Sequence, residues 1–253
     1  MSSELKPIKL YTAGTPNGYK ASIFLEELKA AYPGFTYEPQ SLSFAKNEQK
    51  EPWFLKINPN GRIPAISDPN RGDFNVFESA ALILYLIQHY DKEYKFSFDP
   101  VNEPDAYSEA LQWTFFIHGG IGPMQGQSNH FFRYAPEKIP YAIKRYNDET
   151  SRLYSVLESR LSNGREYLAG PGKGKFSFAD VNGFPWVRGY GWAGIQNFEA
   201  DFPNVKAWLD RIEARPAVYE GLGVPSRGKK MTKEEEEKAA EEARAWILGN
   251  SNK

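Results

Sequence analysis

Every stretch of this 253-residue chain with the alternation of a β-strand falls within its first ninety residues, and the rest carries helical spacing only. Ile8–Tyr11 and Phe35–Gln40 read as strands on either side of a helix over Lys20–Ala31. Ile63-Pro64-Ala65-Ile66 and Phe74-Asn75-Val76-Phe77 read as a strand pair across the turn "DPNRGD". Ser79–Tyr90 then reads as a helix with Leu82, Ile83, Leu86 and Ile87 on one face. That order, βαβ followed by ββα, defines one α/β unit. Helices are expected over Asp105–His118, over Pro140–Leu161, from "SFADVNGFPWV" and over "NVKAWLDRIEARPAV", the last ended by Pro216. The spacing Ser177-x-x-Asp180 resembles a capping box, a stability device without chemistry. An α+β chain of two domains follows: residues 1–92, a linker at 93–104, an all-α unit at 105–224 and a charged tail at 225–253. In the tail Thr232 can cap a short helix whose thin apolar stripe is Ala239, Ala243, Trp246 and Ile247.

Composition excludes several classes of function. Lys plus Arg total 31 against 32 Asp plus Glu, so a net charge of −1 offers no footprint for nucleic acid or an anionic membrane. No apolar run approaches the roughly 20 residues of a membrane helix. The segment "MSSELKPIKLYTAG" lacks the charged-then-apolar order of a secretion signal, so a cytoplasmic protein is expected. The chain has no Cys. Any thiol chemistry must therefore use a thiol brought by a ligand.

Three stretches could hold such a ligand. Thr15-Pro16-Asn17-Gly18 is a tight turn that leads a strand into a helix, and helix N-termini present N–H groups to anionic partners. "NGRIPAI" places Pro64 inside a strand-like run, where Pro breaks the ladder. A cis Ile63-Pro64 bond would resolve this and leave the Ile63 N–H and C=O free for an extended peptide-like ligand, the alternative being an edge-strand trans Pro. Glu78 and Ser79 sit where strand gives way to helix. There Glu78 could take an ammonium, while Ser79 and the helix N-terminus take a carboxylate; otherwise Ser79 merely caps the helix. Other signals carry less. "GPGKGKFS" lacks the spacing of a phosphate loop, no Gly-x-Ser-x-Gly elbow occurs, and His89, His118 and His130 lack metal-ligand spacing, which leaves core or surface roles for them. The run Trp113–Tyr134, rich in aromatics and interrupted twice by Gly, suggests a wall opening onto a pocket.

The order of these pieces, with "TPNGYK", "NPNGRIPAI", "FESAALILYL", "GPMQGQSNHFFRY", "YAIKRYNDET" and "SFADV", resembles the cytosolic glutathione transferases from about residue 7 to 224. It is most similar to the bacterial nu class and to the fungal group related to the yeast nitrogen-regulator prion protein. The resemblance implies a thioredoxin-like, glutathione-binding N-terminal domain, an all-α C-terminal domain and a two-fold homodimer. It implies glutathione as co-substrate, and glutathione disulfide as a possible second ligand. Asn17 and the Thr15 hydroxyl would stabilise the thiolate, with Tyr11 as the rival donor that Tyr-type transferases use. Ile63, held by Pro64, would pair with the cysteinyl unit, and Glu78 and Ser79 with the γ-glutamyl end. Gln49 would reach the glycyl end and Arg62 would add charge nearby. Gln112 would reach across the dimer, and Arg145 would approach a second glutathione. Trp113, Phe116, Met124, Phe131 and Phe132, with Tyr11, are the residues proposed for the pocket of the second substrate. That substrate would be an electrophile, peroxide or disulfide. Two non-enzymatic readings remain beside catalysis, a regulator of nitrogen metabolism that keeps the fold and a structural assembly domain.

Overall fold

The computed structural model describes residues 5–227 and 232–250. Its first unit contains β1 (Ile8–Thr12), α1 (Pro16–Ala31), β2 (Tyr37–Ser41), a short α2 (Pro52–Leu55), β3 (Ala65–Asp68), β4 (Phe74–Phe77) and α3 (Ser79–Tyr90). The strands form one sheet in the order β2-β1-β3-β4. β1 and β2 run parallel, with Leu10 opposite Pro39, while β3 is antiparallel to both β1 and β4. This is the thioredoxin-like arrangement. Alternation along β1 sends Ile8 and Leu10 into the core beneath α1 and α3, and Tyr11 to the other face with Leu42, Phe54 and Ala65. β2 begins two residues later than the alternation suggests, because its outer edge is exposed and its pattern weak.

The second unit is helical: α4 (Pro104–Phe116), α5 (Gly122–Asn129), α6 (Pro140–Leu161), α7 (Phe178–Arg188), α8 (Phe198–Asp201), α9 (Pro203–Glu213) and α10 (Pro216–Gly221). The two Gly-containing interruptions expected after Trp113 are not breaks: Gly119 and Gly120 lie in a wide π-helical turn at Ile117–Ile121, and Gly122 and Gly126 lie in α5 itself. A second π-helical turn follows at His130–Tyr134. As expected, the helix before Pro216 stops ahead of it, at Glu213, and Pro216 also opens the next one. Like Pro16, Pro104, Pro140 and Pro203, it stands at a helix start, where its missing N–H has no intrahelical partner to lose. The capping box at α7 forms, and its Asp180 is fully buried. Asp180 accepts from the Leu168 and Ser177 N–H groups at 3.1 and 3.0 Å, the Ser177 hydroxyl at 3.2 Å and the Trp208 indole at 2.8 Å. Desolvation pushes its carboxyl up to about 6 against the pull of those donors.

The two units meet along α1, which packs on α3, α7 and α10. Ser22 donates to the Gly221 carbonyl at 2.7 Å, and Arg215 grips the buried Glu27 carboxylate with two bonds of 2.6 and 2.8 Å. The tail forms α11 (Lys233–Asn250), opened by a reciprocal pair in which the Thr232 N–H donates to Glu235 and the Glu235 N–H to Thr232. Trp246 packs its ring on Phe44 at 5.5 Å and donates to Asn47 at 3.3 Å, while Arg244 reaches the Pro136 carbonyl at 3.1 Å. This helix therefore bridges the two units. No helix among the described residues is long and apolar enough to cross a membrane.

Two outcomes are expected. Arg215→Ala strands the buried Glu27 carboxylate, so urea denaturation should show a loss of about 2–4 kcal/mol, the lower part reflecting Arg215's own partial exposure. Trp246→Ala should leave the midpoint of global unfolding nearly unchanged. Limited proteolysis should then cut the tail faster than in the parent.

Candidate functional site

The turn before α1 is built by close approach. Thr15 is the N-cap, its hydroxyl oxygen accepting from the Gly18 N–H at 3.1 Å. A Cβ on Gly18 would lie 2.1 Å from the Ala13 carbonyl oxygen and 2.7 Å from the Thr12 hydroxyl, so only Gly lets α1 start this close to β1. Asn17 then projects toward the helical unit, where its Oδ1 accepts from the Trp186 indole N–H at 2.9 Å. That bond fixes the amide: its oxygen is engaged and its NH2 is left as a donor. Trp186 can reach because Gly122 and Gly126, one turn apart on α5, leave room for its ring; ideal Cβ positions there lie 3.3 and 3.5 Å from it.

Across from Asn17 the Ile63-Pro64 bond is cis. Among the described residues neither the N–H nor the C=O of Ile63 has a hydrogen-bond partner. The preceding loop is held by Asn58, which donates to the Arg62 carbonyl at 2.6 Å and accepts from the Asn60 N–H at 2.9 Å. Glu78 occupies the N-cap position of α3 at φ 68 and ψ 113, a conformation strained for a non-Gly residue. It holds its carboxylate at the mouth of the site, 3.5 Å from His118 Nε2. Ser79, the first residue of α3, is buried.

These residues line one cavity of about 240 Å³, bounded by Asn17, Lys20, Asn58, Asn60, Arg62, Ile63, Pro64, Glu78, Ser79, His118, Gly122, Pro123 and Trp186. Of the residues singled out from sequence, Asn17, Arg62, Ile63, Pro64, Glu78 and Ser79 are brought together here, with Thr15 one turn away on the same helix start. Gln49 lies outside the cavity wall but is buried, with its Nε2 on Asn47 at 3.3 Å and its Oε1 unpartnered.

The expected second-substrate residues are not among those lining this cavity, and each makes packing contacts of its own. Tyr11 packs edge-on against Phe54, Trp113 against Phe116, and Phe131 stacks flat on Tyr146. Met124 packs on the core, and Phe132 fills the space over Gly194. Gln112 and Arg145 are exposed on α4 and α6, away from the cavity.

Sequence reasoning missed Lys20, His118 and Trp186. Lys20 was findable, since it follows Asn17 by three residues and so shares its helix face. His118 had no local signal. It is not the core or surface His expected but lines the cavity from the first π-helical turn. Burial and the neighbouring Lys20 push its imidazole below the usual range, with Glu78 pulling the other way, so it is largely neutral at pH 7.

Residues 6–88 match the N-terminal domain of the glutathione S-transferases and residues 126–216 their C-terminal domain. The chain belongs to the glutathione transferase family. It is 41% identical over 219 residues to a protein of Escherichia coli K12 named disulfide-bond oxidoreductase YfcG, covering 85% of this chain and 94% of that one. It is 36% identical to glutathione S-transferase 1 of Schizosaccharomyces pombe, covering 80% and 89%. Among solved structures, a glutathione transferase homologue of Lodderomyces elongisporus with two glutathiones per subunit superposes with a TM-score of 0.78. It is 42% identical, with 87% of this chain and 100% of that one covered. A transferase of Phanerochaete chrysosporium in complex with oxidised glutathione, also 42% identical, gives 0.77 over 87% and 96%.

The geometry at the turn makes a direct demand. Gly18→Ala should destabilise the protein by about 1–3 kcal/mol or more in chemical denaturation, because the added methyl meets backbone. A neutral result would mean that β1 and α1 can separate without loss.

Proposed function

We propose that the protein is a glutathione-dependent enzyme that binds glutathione in this cavity and uses it to reduce disulfides. The observation that carries the proposal is the Asn17 amide, held by Trp186 with its NH2 free beside an unpaired Ile63 backbone. Glutathione fits these groups. Its cysteinyl amide can pair with Ile63, its ammonium with Glu78, and its γ-glutamyl carboxylate with Ser79 and the start of α3. The thiol then lies near Asn17 and Thr15. Thr15 accepts through its oxygen, which leaves its own O–H proton to donate to sulfur. Two donors aimed at sulfur favour the thiolate, the reactive form of a group that otherwise titrates near about 8.5.

The absence of Cys shapes the chemistry. Bound glutathione thiolate attacks one sulfur of a disulfide RSSR, forming the mixed disulfide GSSR and releasing RS⁻. A second glutathione thiolate attacks GSSR at the glutathione sulfur, giving GSSG and a second RS⁻. Two glutathiones are oxidised and one disulfide is reduced, and the donors that support the attacking thiolate also support a sulfur that leaves. The relative named as a disulfide-bond oxidoreductase supports this chemistry, as do the relatives that hold two glutathiones or the oxidised form. Reduction of hydroperoxides by the same thiolate is a secondary activity, and conjugation to electrophiles a third. A cytoplasmic location accords with a ligand that must stay reduced.

A homodimer belongs to the same proposal. β4 presents Phe74 and Phe77 to solvent, and α4 presents Phe115, which is 59% exposed. Apolar rings of this size on one protein are more usual beneath a partner than in water. Light scattering should give a dimer, and Phe74→Glu should shift it toward monomer.

Purified protein with glutathione should turn over hydroxyethyl disulfide faster than chlorodinitrobenzene. Asn17→Ala should lower kcat/KM for the disulfide by about ten- to a hundredfold, the worth of a hydrogen bond to a charged group, with a smaller change in glutathione affinity. Glu78→Gln should do the reverse, weakening glutathione binding by about 1.5–3 kcal/mol in calorimetry. A protein that binds glutathione but turns over none of these substrates would favour the regulatory reading.

A further inference from the structure

Lys20 is the least expected member of the cavity. It is 1% exposed, lies one turn beyond Asn17 on α1, and lines the cavity with Glu78 and His118. Among the described residues its side chain makes no hydrogen bond and no salt bridge. A purely structural Lys normally extends its ammonium to bulk water along a buried stem, whereas the side chain of Lys20 ends at the cavity. A buried ammonium without a partner is costly, and proteins meet that cost by releasing the proton or by supplying an anion. Glu78 supplies only part of one, since its carboxylate is also engaged with His118. The outcome is a lysine that burial pushes down to about 7, with Glu78 opposing the shift. The titratable and charged groups that line the cavity with it come from three elements: Glu78 from the β4–α3 junction, His118 from the first π-helical turn and Arg62 from the loop before Ile63. Among the described residues Glu78 is the only carboxylate lining the cavity, so a ligand carboxylate would be the partner Lys20 lacks.

Resting on the glutathione site described above, we infer that Lys20 is a charge-switching ligand residue that takes up a proton as the γ-glutamyl carboxylate seats beside it. In the free protein above neutral pH the amine is largely neutral, which lets it sit buried beside His118. When the ligand binds, its ammonium goes to Glu78 and its carboxylate to Lys20. The new anion raises the basicity of the amine, and a proton is drawn from solvent. The sign of the pH dependence follows. Between about 7 and the higher value in the complex, the bound state holds one more proton than the free state. Affinity for a ligand whose own thiol is blocked therefore falls as pH rises through that window. His118 is already neutral there, because its own shift is downward.

S-methylglutathione tests this without interference from a titrating thiol. Calorimetry at pH 7.5 in phosphate and in Tris, buffers of low and high ionisation enthalpy, reads proton uptake from the difference in observed heats. The expected result is uptake of more than about half a proton per protomer. Lys20→Met, which keeps the unbranched stem, should abolish the uptake and weaken binding at pH 6.5 by about tenfold or more. Circular dichroism should report an unchanged fold. Binding of S-methylglutathione without uptake in the parent protein overturns this inference and leaves the glutathione site standing. Uptake that persists in Lys20→Met assigns the proton to His118 and also overturns it. If S-methylglutathione does not bind at all, both the switch and the glutathione site fall.

Discussion

The hydrogen bond from Trp186 to Asn17 is the contact on which the site depends. It crosses from the helical unit to the α/β unit and ends on the Asn17 side chain at the cavity wall. One helix, α1, thus carries the seam between the units and, at its own N-terminus, part of that wall. Its middle and C-terminal half are secured by contacts from the region around α10, Ser22 on Gly221 and Glu27 on Arg215. The arrangement makes the position of Asn17 a property of the whole molecule. A shift of α7 against α1 would move the amide even with the turn intact.

Small residues make this approach possible. Gly18 lets α1 begin against the end of β1, and Gly122 and Gly126 clear a path for the Trp186 ring. The π-helical turn at Ile117–Ile121 directs His118 into the same space that Glu78 enters from its strained N-cap position. Polar groups of both signs thus face one small cavity with few internal partners, the state expected of a site built for a zwitterionic ligand with charged ends.

Much of this was legible in the chain. The helical spacing gave α3 and α6 at their observed bounds, and turn chemistry marked Thr15–Gly18 as the entry to a helix, although α1 begins at Pro16 and not at Lys20 because Thr15 caps it and Pro16 fits its first position. The Thr232 cap also followed from local pattern. What local pattern could not supply was long-range. An aromatic residue facing a ligand and one packed on a neighbour have the same periodicity, so local pattern did not show that Tyr11, Trp113 and Phe131 pack on Phe54, Phe116 and Tyr146, or that Phe132 fills the space over Gly194. Trp186 is distant from Asn17 in sequence and carries no motif. A lone His such as His118 reads the same whether it faces core, solvent or ligand.

The central claim is that Asn17, oriented by Trp186, stabilises the thiolate of bound glutathione. Ultraviolet absorbance of the thiolate, recorded across pH on the saturated complex, measures this directly. The account predicts that bound glutathione titrates below the about 8.5 of a free thiol, that Asn17→Ala returns it toward that value, and that Trp186→Phe shifts it part of the way. A bound thiol that titrates like free glutathione, or a depressed value that survives Asn17→Ala unchanged, would contradict the account.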